Sequence, residues 1–275
     1  MHSASLIPLV FSAAVMAAQV PNVAPNDLVR KVISNEIRVD EQDHSHWMYQ
    51  IVSNVPEPET SRTVVETSHG DINYTEEIDH RPLSPEQRSA EDEKVKKFVD
   101  DPDLQRKARE SNAEDDKKSE EMFAILPDAF LFQYAGTDGD NQKLTFTPNP
   151  DFTSHSSEAY VFHKMDGFVI VNTKQNRLVE ISGKLTHGVA FAGGLFGHLD
   201  PGGTFDVRRD EIAPGYWAIT KLQVNMNGKI LFFKTIAEHQ DETHSHFQRV
   251  PDNTTLAQAE VMARKQIIAV AAGSR

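Results

Sequence analysis

The sequence predicts a mainly β protein of α+β class: an open antiparallel sheet or half-barrel with helices packed on one face. Three observations predict it. From Glu158 to Val250, short apolar or alternating runs are separated by strong turn signals, with almost no helical period. Runs of the same kind recur over 46–78 and 129–147. Helical patterning is confined to three places: the start, the charged stretch from Ser84, and the last twenty or so residues. No internal repeat and no clean linker divides the chain, so 19–275 reads as one β-rich domain. Within it lie a charged helical insertion (84–126), a strand meander (127–250) and a C-terminal helix (253–266).

Composition narrows the function. Hydrophobic residues at 39% and charged residues at 25% place the 275-residue chain in the globular class. Lys plus Arg number 28 against 41 Asp plus Glu, a net charge of −13. Binding to phosphate backbones or anionic lipid rests on basic side chains, so nucleic acid is excluded as an expected partner. There is no cysteine, which removes disulfides, thiolate metal sites and a cysteine nucleophile together.

From Ala4 to Ala18 the chain is nearly unbroken apolar and small residues, too short to span a bilayer and of signal-peptide length. Residues 1–18 are therefore read as a signal peptide and the protein as exported, to a bacterial periplasm, although no Lys or Arg precedes Arg30.

Leu28, Val29, Val32, Ile33 and Ile37 fall three to four apart, which predicts an amphipathic helix capped by Asn26 or Asp27 and ending before Asp40–Asp43. His46 to Ser53 reads as a strand, and Arg62–Thr67 and Ile72–Ile78 as a hairpin about Gly70-Asp71. Ser84-Pro85-Glu86-Gln87 is a capping box with proline at the first helical position. From Ser84 to Glu121, 22 of 38 residues are charged, so this segment is either a solvated helical pair or a partner-binding arm. Asp101-Pro102 splits it in two.

Ala129–Tyr134 and Lys143–Thr147 read as strands about the turn Asp138–Asn141. Tyr160–His163 and Phe168–Asn172 flank Asp166-Gly167, a type I′ hairpin signal, and Thr173–Asn176 turns the chain into a strand from Arg177 to Leu185. Gly188 to Gly203 holds six glycines without the spacing of a phosphate-binding loop. Its apolar residues Val189, Phe191, Leu195, Phe196 and Leu199 form either strands or a lip that touches lipid or a partner. Thr204–Arg209 and Tyr216–Val224 follow as strands. Asn227-Gly228 is the clearest hairpin signal, leading into a doubly apolar central strand, Ile230–Ala237, and a closing strand, His244–Val250.

This order resembles the outer-membrane lipoprotein carrier family of bacteria, the LolA/LolB-like fold. The residues that carry the resemblance are the helix from Asn26 to Ile37, the strand Arg177-Leu178-Val179-Glu180-Ile181-Ser182-Gly183, and the hairpins expected around Gly193-Gly194 and Asn227-Gly228. In that family an incomplete barrel wraps around helices and leaves an apolar cavity for acyl chains. The resemblance implies a non-catalytic carrier of a hydrophobic ligand or lipidated protein, with no cofactor and with transient membrane contact. Trp47, Phe162, Phe168, Trp217, Phe232 and Phe233 are the aromatics that would line such a cavity, or else belong to an ordinary core. An envelope interaction scaffold that uses the charged helices is the alternative.

A third reading rests on histidine. His44 and His46, and His244 and His246, are H-x-H pairs, which on a strand put both rings on one face; His239 with Glu238 or Asp241 could complete a nitrogen-rich metal site. No nucleophile elbow and no H-E-x-x-H motif accompanies them.

Overall fold

A computed structural model describes residues 23–154, 156–191, 197–230 and 237–273. The signal-peptide reading, most of the apolar run Ile230–Ala237, the glycines and apolar residues of 192–196, and the candidates Phe232 and Phe233 lie outside these residues.

The chain opens with α1 (Pro25–Gln42), followed by β1 (His46–Val55), β2 (Thr60–Val65), β3 (Ile72–Ile78) and a two-residue edge strand β4 (Arg81–Pro82). The helices α2 (Pro85–Asp100), α3 (Pro102–Ala124) and the single turn α4 (Leu126–Ala129) come next. Then follow β5 (Phe130–Asp138), β6 (Asn141–Pro148), a short helical piece α5 (Ser157–Tyr160), β7 (Met165–Asn172) and β8 (Arg177–Leu185). The chain ends with β9 (Val189–Phe191), β10 (Gly197–Leu199), β11 (Thr204–Ala213), β12 (Tyr216–Ile230), β13 (Ala237–Val250) and α6 (Leu256–Gly273).

These strands form one antiparallel sheet that does not close into a barrel, in the order β4-β3-β2-β1-β13-β12-β11-β8-β7-β6-β5, with β9 and β10 attached through β12. Consecutive strands are neighbours almost throughout, so short turns suffice to build it. The exceptions are β8 against β11 and, far longer in range, β1 against β13, with His46 opposite Val250 and Ile51 opposite His244. That pairing puts the last strand in the middle of the sheet. His244–Val250 therefore does not close the sheet as expected; the edges are β4 and β5.

Two hydrophobic centres hold helices to the sheet. Leu28, Val29, Val32 and Ile33 of α1 pack with Phe130, Phe132, Leu144, Val169 and Leu178. Each fully buried aliphatic side chain contributes about 1.5–3 kcal/mol. Val95 of α2 and Leu256, Ala259 and Ala263 of α6 pack with Met48, Val65, Ile72 and Tyr74. The long helix α3 has no buried residue and touches both α1 and α2.

Local chemistry explains the boundaries. Ser84 and Gln87 form the capping box: Gln87 N donates to Ser84 Oγ at 3.2 Å and Ser84 N to Gln87 Oε1 at 2.8 Å. Asp101 caps α3 through Asp103 N and Leu104 N. At α1 the expectation differs. The helix starts at Pro25 without a side-chain cap and runs through the acidic stretch to Gln42. Asn26 is engaged elsewhere: its carboxamide donates to Phe130 O at 2.7 Å and accepts from Phe132 N at 3.0 Å. It thereby satisfies backbone groups of edge strand β5 that would otherwise be free to pair with another chain.

Two of the dipeptides expected as hairpin turns are instead inside strands. Asp166-Gly167 lies in β7, where Gly167 is opposite Gly183, and Asn227-Gly228 lies in β12. A Cβ on Gly167 would sit 2.0 Å from Ser182 O, and one on Gly228 2.2 Å from His198 O. These glycines serve close backbone approach rather than positive φ. Tyr160–His163, expected as a strand, is helical, and α6 extends past Gln266 to Gly273. The turns at Gly70, at Gly139 and over Thr173–Asn176 stand where the sequence places them.

Candidate functional site

Where α1 and α3 pass over β8, β11 and β12, they leave a groove of about 520 Å³, within the 300–1,000 Å³ usual for small-molecule sites. The register builds its sheet side: Ile181 is opposite Val207, and Arg209 is opposite Ile219. Apolar walls come from Ile37 of α1, Phe123 of α3, and Leu178, Ile181, Val207 and Ile219.

The floor is polar and closed. Glu36 is 4% exposed. Its Oε1 accepts from Arg177 Nε at 2.9 Å and from Leu178 N at 2.6 Å, and its Oε2 accepts from Arg209 at 2.5 Å. Arg177 and Arg209 also donate to Gly215 O and Trp217 O, and Arg177 lies 5.7 Å from the Trp217 ring. A buried carboxylate is tolerated here because both its oxygens are fully engaged by charge-assisted donors.

One end of the groove is acidic. Asp40 and Asp43 of α1 and its C-terminal boundary, with Asp116 and Glu120 of α3, line it. Among the described residues none of these four forms a salt bridge. Partial burial, then Asp40 and Asp115, push the Asp116 carboxyl up. Behind this rim, Glu66 accepts from Trp47 N at 2.9 Å. Burial pushes its carboxyl up to about 7, aided by Asp71 and Asp43 and opposed by the Trp47 amide and the Tyr49 hydroxyl. Burial likewise raises the Asp71 carboxyl and the Tyr49 phenol.

The candidate aromatics are dispersed. Trp217 lines the groove, its Nε1 donating to Gln175 Oε1 at 2.8 Å. Trp47 packs edge-on against Tyr216, with ring centroids 5.4 Å apart. Phe162 belongs to the main core, 5.2 Å from Phe130. Phe168 lies beneath Lys143 Nζ at 3.8 Å and lines a second, separate hollow of about 580 Å³ across β7, β8, β11, β12 and β13.

The histidine pairs do not meet. His44 is exposed, and His46 is opposite Val250. His244, opposite Ile51, sits 3.1 Å from Glu242 Oε2. His246 is exposed at a bulge, with φ +58°, so the alternation that would align it with His244 is broken. His239 lines the second hollow. Among the described residues no group of three or more His, Asp or Glu side chains could hold a metal ion, and no helix is long and apolar enough to cross a membrane.

Sequence reasoning missed Glu36, Arg177 and Arg209. One signal was available: Glu36 falls four residues after Val32, on the apolar stripe of α1, where a charge must have partners.

The fold and the groove define an open antiparallel sheet with helices across it and a half-apolar cleft beneath them. No family model, curated protein or solved structure matches the chain.

Proposed function

We propose that the protein is a non-catalytic carrier or binding protein, and that the groove between α1, α3 and the β8–β11–β12 surface holds a hydrophobic ligand or the acyl chain of a lipidated protein. The observation that carries this reading is the groove itself: apolar walls of ligand-sized volume under a helix that buries none of its own residues. A helix held by so little packing can yield to an entering chain at low cost. Membership of the lipoprotein carrier family and export to a bacterial periplasm belong to the same proposal. The former is supported by element order and the open sheet, the latter by the apolar run Ala4–Ala18. Titration with the neutral fluorescent probe N-phenyl-1-naphthylamine tests it. Saturable uptake is expected, and a flat titration counts against it.

The exposure of most of α3, 109–121 throughout, favours a second reading, an interaction scaffold. Replacing Arg106, Lys107, Glu110 and Lys117 by serine separates the two. Loss of a co-purifying envelope protein with probe uptake intact supports the scaffold; unchanged co-purification removes it.

A further inference from the structure

We propose that the groove selects a cationic amphiphile, an apolar chain ending in a positively charged head, over an anionic one. The inference rests on the carrier reading above and adds the charge of the ligand to it.

The two guanidiniums at the floor look at first like an anion anchor. Each is already paired with Glu36. Arg177 is only 8% exposed and gives Nε to Glu36 and a second nitrogen to Gly215 O. Arg209, 20% exposed, is held by Glu36 and by Trp217 O. An incoming carboxylate or phosphate would have to compete for them with Glu36, which is 4% exposed and held between the two.

The rim offers the opposite. Asp40, Asp43, Asp116 and Glu120 line the groove and form no salt bridge among the described residues. Counting every charged residue of the lining, five carboxylates (these four and Glu36) face two guanidiniums, a local balance of −3. A cation placed there meets four carboxylates that form no salt bridge among the described residues, while an anion at the same place is repelled by them. The apolar walls from Phe123 to Ile219 run on from this rim, so a chain attached to the cation has a surface to lie on.

Competition against bound N-phenyl-1-naphthylamine by decyltrimethylammonium, decanoate and 1-decanol at pH 7 tests the inference. The ammonium is expected to displace the probe at a concentration at least about tenfold lower than decanoate, with the gap shrinking as salt rises from 20 to 500 mM. The exposed positions of the rim allow the quadruple variant Asp40→Asn, Asp43→Asn, Asp116→Asn, Glu120→Gln to fold, which circular dichroism verifies. It should bring the two charged probes to within about threefold of each other. Equal potency of ammonium and decanoate on the unmodified protein, or a preference for decanoate, overturns the inference while leaving the carrier reading standing. Failure of all three compounds and of the probe overturns both.

Discussion

Glu36 Oε1 and Arg177 Nε lie 2.9 Å apart with both side chains under 10% exposed, and this pair, with Arg209, joins α1 to β8 and β11 beneath the groove. Removing one partner of a buried pair strands the other charge, at a cost of about 3–5 kcal/mol. Glu36→Ala should lower the unfolding free energy by that amount in urea titrations. Arg30–Asp128, which also ties α1 to its surroundings, has side chains 49% and 59% exposed. Arg30→Ala should cost under about 1 kcal/mol. Equal costs for the two would refute this view of the groove floor.

Two carboxylates of the sheet, Glu66 and Glu242, give pH signatures of opposite sign. The Glu66 carboxyl, at about 7 in the folded protein, lies above its unfolded value of about 4.3. Its contribution is fully present below that value and is lost as pH rises through 7. Glu66→Gln should therefore melt higher than the parent at pH 8, by about 3 kcal/mol in stability, and match it at pH 4. Glu242 has the opposite sign. His244 first, then Ser53 and Arg62, hold it at about 2 against burial, so its contribution is present above 4.3 and lost as pH falls toward 2. Glu242→Gln should destabilise at pH 7 and converge with the parent near pH 2. Melting temperatures across pH 2–8 read both.

The glycines make a prediction that turn chemistry alone would get wrong. At Gly139, φ is +56° and, among the described residues, nothing lies within 4 Å of where a Cβ would sit, so Gly139→Asn should cost little. At Gly228 the same change drives Cβ into His198 O, at 2.2 Å, and in Gly167→Asn into Ser182 O. Each of those should cost about 1–3 kcal/mol or more by thermal melting.

That contrast marks how far the sequence could be read. Alternation and turn residues showed an open antiparallel sheet, and the Ser84–Gln87 box and Asp101-Pro102 placed two helices within a residue or two. What failed did so for long-range reasons. Asp-Gly and Asn-Gly are the same dipeptides whether a chain turns or another strand crosses closely. The β1–β13 pairing joins residues about 200 apart in sequence, and no local pattern specifies it. The groove was less legible still. Trp217 was among the aromatics expected to line it, but Arg177 and Arg209 became partners of Glu36 only once three distant elements packed together. The histidine pairs were visible at once in sequence, yet the bulge at His246 that separates their directions was not.

The capping box offers a local check on α2. Ser84→Ala removes the acceptor for Gln87 N and should cost about 1 kcal/mol. Hydrogen exchange should show the loss concentrated in the first turn of α2, with the amides of α1 and β8 unchanged.

The groove itself is tested most directly by filling it. Val207 of β11 stands opposite Ile181 on the sheet side of the groove, and Val207→Phe places a ring in that space. The account predicts saturable binding of N-phenyl-1-naphthylamine to the parent protein and at least a tenfold weaker affinity for Val207→Phe, with circular dichroism unchanged. No binding to the parent, or equal binding to both proteins, would contradict it.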